Sequence, residues 1–577
     1  MRTGGTAMTH VQKRGLCWLI AGVMTAALMA FVLLCTDVTF AANDDSSIMR
    51  AFMGYESGEP ARVHLFIHGL LAQPLALLGT WFPGLPWFTY VQLALLALGC
   101  TVIAKSIMQS FVKHGRSMIA GALMAASFLL ILCLKYMTLL TFTQTAAMLG
   151  AAAAAQLMSI EHERGAKHVI VGVAGALALV CLSYALRQNA LLPMLAFCGL
   201  IFAAQLWECA EKKLPLRPMF LSLAMIALVL GGMVGVRQLE LSRPDMQDYL
   251  RWQEANTEIM DYTGIRNIPQ EGFDAVGWDE NDLAMAERWC FLSPDISTEA
   301  FQTLTEYVHE ADTATIAQRL EKAWKLFQQT ASENRQDMRA LVIAGFAALI
   351  CLGFACCERK PRQLFSMLGM IVLAAAMTAY LAMEGRLPLR ALLIALLPPS
   401  AFFFAVMPEA ISAWSKKVPP AFYATILLTS LICASEIVPG LLIDEEEQWN
   451  SGNALTDLEE YAVYEPESLF LYDMSLTITD MRAFPPFPDG VPHNVSFWGG
   501  WPLRSPQSIQ QFANYDIDLM NFQPEDLLRD NVYVASATID PPPTVLLDWL
   551  RTEVSPDIEC ELYSEYGYVY IFQFCEY

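Results

Sequence analysis

Two neighbouring carboxylates, Asp44 and Asp45, follow the first long apolar segment of the chain. A carboxylate beside a membrane surface can act as a general base, and a pair of carboxylates can hold a divalent cation. The same acids also suit the first turn of a short helix over residues 46–54, because a helix N-terminus stabilises negative charge. Both interpretations remain open from the residues alone.

Four basic residues lie where a membrane protein usually has few, at the predicted outer ends of spanning segments: Lys135, Arg187, Arg386 and Arg390. Arginine binds phosphate through two parallel hydrogen bonds. The set therefore predicts an outward-facing cavity for a lipid-linked phosphate. The alternative is that each side chain reaches toward lipid headgroups on its own.

Further polar residues are candidates for binding substrate in the same cavity. Gln144 shares a helix face with Thr141 and Thr145 near the outer end of the fourth span, where interhelical hydrogen bonds are the alternative role. His64 and His68 are spaced to share one helix face. They lack a third metal ligand, so we predict no metal site among them. A divalent cation at the acidic pair is left open, and no other cofactor is predicted.

The chain that must position these residues has 577 residues, of which 55% are hydrophobic and 16% are charged. Apolar segments of about 20 residues recur, and each can cross about 30 Å of hydrocarbon as a helix. The formal charge of −22 argues against nucleic acid as a partner. No GxxxxGK(S/T) loop or GxSxG motif is present, which excludes enzymes built on those motifs. The predicted spans are residues 17–36, 87–108, 117–134, 137–158, 168–186, 190–207, 218–236, 339–357, 364–383, 389–407 and 420–437.

Segment 63–82 is also apolar, and the Lys and Arg residues of the connections indicate whether it crosses the membrane. If it does not, most basic connections fall on the cytoplasmic side, as the positive-inside rule requires. We therefore predict a surface or re-entrant segment, about eleven spans, a cytoplasmic N-terminus and an outer C-terminus. We expect segment 17–36 to be a retained anchor, since its apolar run exceeds that of a signal peptide. The deciding basic residues are Lys105, Lys113, Arg116, Arg164, Lys167, Lys212, Lys213, Arg217, Arg359, Lys360, Arg362, Lys416 and Lys417.

This topology has a direct test by reporter fusion. Reporters placed after residues 110, 165, 214, 361 and 417 should report the cytoplasm, and those after 290 and 577 should report the outside. An outside signal at 110 and 214 would mean that segment 63–82 crosses.

The predicted fold is an all-α polytopic membrane bundle with two acidic outer domains. Capping signals mark helices after Asp279 and Ser297, and Thr456 with Glu459 forms a predicted capping box. Strands are predicted at 532–537 and 568–574, with Cys560 and Cys575 within disulfide reach, and a loop carrying Trp498 and Trp501. The predicted units are a membrane module 1–236 with a first outer loop 37–86, an extracytoplasmic helical insertion 237–338, a membrane module 339–439 and an extracytoplasmic α/β domain 440–577.

An acidic pair in the first outer loop, a surface segment after it, many spans and a C-terminal outer domain resemble the GT-C class of polytopic glycosyltransferases. More narrowly, residues 248–282 and 494–501 resemble membrane proteins of Gram-positive gut bacteria near surface-polysaccharide functions. The GT-C resemblance implies a polyprenyl-phosphate sugar donor, a loop carboxylate as general base and basic residues on the phosphate. Carried over, Asp44 or Asp45 would be the base, and Arg187, Arg386 and Arg390, with Lys135 behind them, would bind phosphate.

The resulting hypothesis is an enzyme of the bacterial plasma membrane that transfers a hexosyl group at the outer face. Its partners would be the bilayer, the lipid-linked donor and a glycan or lipid-linked acceptor at the cell surface. Two alternatives are a non-enzymatic exporter or flippase for lipid-linked glycans and a scaffold for surface polysaccharide. An exporter needs a cavity that opens alternately to both sides, whereas an enzyme needs the acidic pair.

Overall fold

The computed structural model describes residues 10–311, 314–358, 360–412, 420–440, 442, 454–477, 481–484, 490–539 and 543–577. Its first half is almost entirely helical. The helices up to the insertion are α1 (His10–Cys35), α2 (Asn43–Met53), α3 (Gly69–Trp81), α4 (Trp87–Lys113), α5 (Met118–Leu132), α6 (Leu134–Thr138), α7 (Phe142–Met158), α8 (Ala166–Leu186), α9 (Leu191–Glu211) and α10 (Arg217–Leu241).

The insertion and the second membrane module continue the helical pattern. The insertion carries α11 (Pro244–Thr257), a π-helical turn (Glu258–Thr263), α12 (Gln270–Val276), α13 (Glu280–Glu287), α14 (Thr298–Ala311) and α15 (Ile316–Glu333). The second module carries α16 (Arg335–Cys357), α17 (Pro361–Met383), α18 (Leu389–Ser412) and α19 (Pro420–Ile437).

The chain is a polytopic membrane protein. In the described residues, eight helices are long and apolar enough to span, namely α1, α4, α8, α9, α10, α16, α17 and α18. Helices α5 and α19 are shorter apolar helices, and α7 has 17 residues. Each of the eleven predicted spans thus falls on a helix. Helix α3 has 13 residues, which at about 1.5 Å each is too short to cross the hydrocarbon.

Helix α7 occupies the centre of the bundle and packs against α18, α8 and α4. Its alanine run, Ala151–Ala155, is fully buried, so small side chains allow close approach of the neighbouring helices. The glycines of α10, Gly231, Gly232 and Gly235, face open space instead.

The insertion and the C-terminal domain share one hydrophobic core, which contains Trp252 and Phe301 from the first and Phe470 and Trp549 from the second. The C-terminal domain holds α20 (Ala454–Tyr464), α21 (Met474–Thr477), α22 (Pro506–Ala513) and α23 (Thr544–Glu553). In the bundle, β1 (Thr39–Phe40) and β2 (Leu139–Leu140) form a separate two-stranded sheet. The sheet of the C-terminal domain contains β3 (Leu469–Tyr472), β4 (Val495–Phe497), β5 (Val532–Ser536), β6 (Ile558–Tyr566) and β7 (Val569–Glu576) in the order β4-β3-β5-β7-β6, whose first three strands run parallel. The predicted strands and small α/β domain are confirmed.

Local signals had mixed outcomes. Asp279 caps α13, and Ser297 accepts a hydrogen bond from Ala300 N at the start of α14, so both caps are confirmed. The capping box at Thr456 is wrong, because α20 is already helical at Ala454. No disulfide joins Cys560 and Cys575, and both thiols are free. Cys560 lies opposite Phe574, so the two cysteines project from opposite faces of the sheet.

Candidate functional site

A cavity of about 770 Å³ lies between one end of the helix bundle and the shared extramembrane unit. The bundle contributes residues from α2, from the end of α8 and from the α17–α18 connection. The insertion and the C-terminal domain form the opposite walls. The lining residues are Asn43, Asp44, Ser47, Leu65, Phe66, Arg187, Gln188, Asn189, Leu241, Leu250, Gln253, Glu254, Asn256, Thr257, Glu258, Asp261, Tyr262, Trp289, Arg386, Arg390, Met474, Phe497, Gly500, Trp501 and Pro502.

Asp44 and Asp45 occupy the first turn of α2, yet their side chains have different environments. Asp44 lines the cavity, and its Oδ2 lies 3.4 Å from Nη2 of Arg390. Asp45 is fully buried, and its Oδ1 accepts hydrogen bonds from Gln92 Nε2 at 2.6 Å and Phe142 N at 2.7 Å. Burial raises the pKa of Asp45 to about 8. Asp45 therefore joins α2 to α4 and to the start of α7, and only Asp44 can meet a ligand in the cavity.

Two further contacts hold α2 in place. Strand β1 (Thr39–Phe40) pairs in parallel with β2 (Leu139–Leu140), which fixes the chain just before the helix. On α2 itself, the buried Arg50 donates to Glu459 of α20 and to Ser46. The C-terminal domain is thus tied by a buried ion pair to the helix that carries Asp44.

The three arginines converge on this cavity from three chain segments. Arg386 lies in the α17–α18 connection and Arg390 lies in the first turn of α18. Nη1 of Arg386 is 2.6 Å from Oδ2 of Asp261. Arg187 ends α8, with its guanidinium 5.3 Å from the ring centroid of Phe66 and 5.0 Å from that of Phe142.

Arg187 differs from the other two arginines in its partners. Within the described part of the chain its guanidinium has no hydrogen bond and no carboxylate within ion-pair distance. Burial lowers the pKa of Arg187, while Asp44 and Asp45 raise it from a distance. A half-buried cation that contacts only aromatic rings lacks an anionic partner, so an anion that entered the cavity could bind Arg187 without displacing a carboxylate.

Two predicted binding residues lie elsewhere. Nζ of Lys135 forms a 2.6 Å ion pair with Asp337, to which Tyr136 also donates, so its charge is already neutralised. Gln144 is buried in the first turn of α7, where its backbone N donates to Thr141 Oγ1. Neither side chain lines the cavity, and their assignment to it is wrong.

The two histidines are structural and do not share a helix face. His64 precedes α3, its Nδ1 accepts from Phe66 N, and burial together with Arg237 lowers its pKa to about 3. His68 caps α3 through Leu70 N, and its second nitrogen contacts Met233 O at 2.9 Å. His64 supports the cavity indirectly, since its ring packs edge-on against Trp501.

Several cavity residues carried no signal in the sequence. The π-helical turn after α11 brings Glu258, Asp261 and Tyr262 into the wall, and such turns recur at functional sites. Trp289, also in the wall, has a left-handed backbone with φ 58°, which is rare for an aromatic residue. A positive φ at tryptophan and a π-turn both depend on tertiary contacts, so hydrophobic periodicity could not reveal them.

The loop Trp498–Trp501 delivers an aromatic side chain to the cavity. Trp498 is buried in the extramembrane core, as its apolar ring favours, whereas Trp501 lines the cavity. Tyr249 Oη and Gln253 Nε2 donate to Trp501 O at 2.6 and 2.9 Å, which anchors the loop to α11. Gly499 allows the loop to lie against the backbone of Trp289, because a Cβ at Gly499 would be 1.5 Å from the carbonyl oxygen of Trp289.

Gly499→Ala should therefore force the loop away from the insertion. We expect a loss of about 2 kcal/mol, as in other overpacked sites, measured as a shorter half-time of thermal inactivation in detergent. Gly231→Ala is the matched control, since no atom lies within 4 Å of its added Cβ. Equal half-times for the two variants would show that the loop does not need this glycine.

The cavity combines groups that suit a phosphorylated, hydroxyl-rich ligand. Its basic side carries the three arginines, and its opposite wall carries acids and amides that include Glu254, Gln253 and Asn256. Aromatic faces such as Trp501 can stack on a sugar ring. In the described residues, no group of three or more His, Cys, Asp or Glu side chains is arranged to hold a metal ion.

Comparisons with known proteins add little to this geometry. No family model matches the chain, and no curated protein matches its sequence. Among solved structures, the chain is similar to the crystal structure of ArnT from Cupriavidus metallidurans bound to undecaprenyl phosphate. The identity is 11%, the TM-score is 0.38, and the match covers 96% of this chain and 97% of that chain. Since a TM-score this low does not establish a common fold, function must be argued from the site.

Proposed function

We propose that the protein is a GT-C-type membrane glycosyltransferase that moves a sugar from a polyprenyl-phosphate donor to a hydroxyl group of a surface glycan or lipid-linked acceptor. The observation that carries this proposal is the unpaired guanidinium of Arg187, which shares one cavity with the Asp44 carboxylate. A preorganised cation and a carboxylate in one site are what such a transfer requires.

The reaction can be written from these residues. Asp44 takes the proton of the acceptor hydroxyl, whose oxygen forms a bond to the anomeric carbon of the sugar. The bond from that carbon to the phosphate oxygen breaks, and the polyprenyl phosphate leaves with the electron pair. Arg187 stabilises the added negative charge on the phosphate, because it is already in place and has no competing partner.

Donor binding would also activate the base. In the free protein, Arg390 lies 3.4 Å from Asp44 and Arg386 lies 2.6 Å from Asp261. A phosphate entering between these arginines competes for both, and bidentate phosphate binding is strong. Transfer of Arg390 from Asp44 to the phosphate would leave the carboxylate free to accept the proton.

The choice between the two acids follows from their environments. Asp45 is sealed from the cavity, and its Oδ1 already accepts two hydrogen bonds. A base must come within about 3 Å of the hydroxyl that it deprotonates. Asp44 is therefore the proposed base, and Asp45 is a positioning residue that holds α2.

The packing beneath the cavity supports an enzyme over an exporter. Helix α7 starts beside Asp45 and has 15 buried residues among its 17, including the whole alanine run. A separate polar cavity near Lys113 and Glu409 lies at the other ends of α4 and α18. A dense helix core between the two cavities favours a site that opens to one side.

A binding measurement on Arg187→Gln tests the proposal. The purified protein in detergent is titrated with a polyprenyl phosphate at fixed ionic strength. Losing charge-assisted hydrogen bonds should weaken binding by about 10- to 100-fold. The matched control is Arg251→Gln, an exposed arginine of the insertion that pairs locally with Asp248 and does not line the cavity. Equal affinities for the two variants would contradict a phosphate role for Arg187.

A further inference from the structure

Asn256 of α11 is a buried polar residue in the wall of the site cavity, and the contacts within the protein do not account for it. It is 3% exposed, and its Oδ1 accepts no hydrogen bond from the residues that the structure describes. By contrast, Nε2 of Gln253, one turn earlier on the same helix, donates to Trp501 O. A buried amide oxygen without a donor destabilises the folded state, whereas a donor that entered the cavity would satisfy Asn256 without displacing a protein group.

A line of ring contacts connects the arginine proposed to bind phosphate with the wall that holds Asn256. The guanidinium of Arg187 lies 5.3 Å from the ring centroid of Phe66, and that centroid lies 5.1 Å from the ring centroid of Trp501. The carbonyl oxygen of Trp501 is bound by Gln253 of α11. A phosphate on Arg187 would therefore bring its sugar to these two rings, and Asn256 lies on the helix to which the second ring is tied.

The amide of an asparagine fits a pair of adjacent hydroxyl groups. Its Oδ1 accepts a hydrogen bond from one hydroxyl while its Nδ2 donates to the next, so both polar ends of the side chain bind the ligand at once. The aromatic rings of Phe66 and Trp501, which also line the cavity, offer apolar surface to the face of a sugar ring. Together these groups suit a sugar whose neighbouring hydroxyls carry no substituent.

The charge of this wall restricts the sugar further. Three carboxylates near Asn256 in the sequence line the same cavity, namely those of Glu254, Glu258 and Asp261. Arg386, which pairs with Asp261, is one of the arginines available to the phosphate, so donor binding does not neutralise the wall. A sugar with a carboxylate of its own would meet like charges here, and such contacts oppose binding.

From these observations we infer that Asn256 binds the sugar of the donor, and that the site takes an uncharged sugar with two adjacent free hydroxyl groups. This inference rests on the proposed function and adds to it the class of sugar that is transferred. The arginines then hold the phosphate and the amide holds the sugar, so the two contributions to binding can be measured separately.

Binding of bare and sugar-bearing ligands tests the inference. The full-length protein in lipid nanodiscs is titrated with polyprenyl phosphate and with polyprenyl phosphates that carry glucose, galactose, mannose or glucuronic acid. The sugar-bearing ligand that binds most tightly should be an uncharged one. Asn256→Ala should lower the affinity for that ligand by about tenfold, through the loss of its hydrogen bonds, and change the affinity for bare polyprenyl phosphate by less than about twofold.

Asn267→Ala is the matched control, because Asn267 is an exposed asparagine of the same insertion whose Nδ2 donates locally to Thr263 O and which does not line the cavity. Monodeoxy analogues of the tightest ligand complete the test. At least one should bind wild type about tenfold less tightly than the parent ligand does, yet bind Asn256→Ala as tightly as the parent does.

Equal losses for bare and sugar-bearing ligands, no loss in Asn256→Ala, or tightest binding of the glucuronyl ligand would overturn the inference. Binding that depends on Arg187 but not on Asn256 would also overturn it and leave the proposed function intact. Binding of the sugar-bearing ligands that depends on Asn256 but not on Arg187 would instead contradict the proposed phosphate role and leave the sugar site.

Discussion

Asp44→Asn should lower sugar transfer by about 10² or more while the protein still inserts and folds. The amide keeps the size and shape of the carboxylate but cannot accept the hydroxyl proton. Because Asp44 lies at the cavity surface beside Arg390 and not in the core, the substitution leaves the packing of α2 unchanged. Transfer of labelled sugar from a polyprenyl-phosphate donor to an acceptor by purified protein measures the effect, with binding of polyprenyl phosphate as the test of folding.

Asp45→Asn is the matched control one residue away. An asparagine Oδ1 can accept the same two hydrogen bonds from Gln92 and Phe142, and it removes a carboxyl group whose burial already favours the neutral form. This variant should therefore retain transfer within a few-fold. Full activity in Asp44→Asn, or equal losses in both variants, would rule out Asp44 as the specific base.

The buried Asp45 also predicts a pH dependence of stability. Its pKa is raised in the folded protein to about 8 from an ordinary value of 3.8, so its contribution to stability is greatest below pH 4 and is lost as the pH rises toward 8. Asp45→Asn removes this dependence. Thermal inactivation of wild type relative to Asp45→Asn should thus become faster between pH 5 and pH 8. A constant ratio of the two rates across that range would show that the pKa of Asp45 is not raised in the folded protein.

The membrane architecture could be predicted because hydropathy is a local property. Each apolar segment must satisfy its own backbone hydrogen bonds as a helix, whatever its neighbours are. The placement of basic residues then predicted that the segment containing α3 does not cross the membrane. The length of α3, 13 residues, agrees with that prediction. The orientation of the bundle stays a prediction for the reporter fusions to test.

The site could be predicted only in part, because ion pairing depends on distant residues. Arginines that break the positive-inside trend pointed to the cavity three times, at Arg187, Arg386 and Arg390. The same argument failed for Lys135, since Asp337, 202 residues away, neutralises it. The sequence around Lys135 therefore could not indicate that Asp337 is its partner.

For the acidic pair as well, the sequence could not show which side chain faces the cavity. Successive residues of a helix point about 100° apart, so one of two adjacent acids can face a cavity while the other is buried. The orientation of α2 is set by the β1–β2 contact and by Arg50, which binds a residue 409 positions later in the chain. Sequence spacing within α2 could therefore not choose between Asp44 and Asp45.

The contact between Arg50 and Glu459 is expected to have the largest effect on stability. Both side chains are almost fully buried, and the pair connects the helix that carries Asp44 to the C-terminal domain. Glu459→Gln would remove a buried carboxylate that binds the Arg50 guanidinium, and breaking such a pair costs about 3–5 kcal/mol. We expect a much shorter half-time of thermal inactivation in detergent, together with a loss of sugar transfer as α2 shifts.

A double variant separates the ion pair from the packing around it. Replacing both partners with apolar residues of similar volume, Arg50→Met with Glu459→Leu, removes both buried charges and should recover much of the stability. Ser46 would lose its bond from Arg50, so transfer should recover less than stability does if the pair also positions α2. The conservative change Glu459→Asp, which retains the charge on a shorter side chain, should fall between wild type and Glu459→Gln in both measurements. A Glu459→Gln variant as stable and active as wild type would mean that the ion pair between Arg50 and Glu459 does not hold the proposed catalytic helix in place.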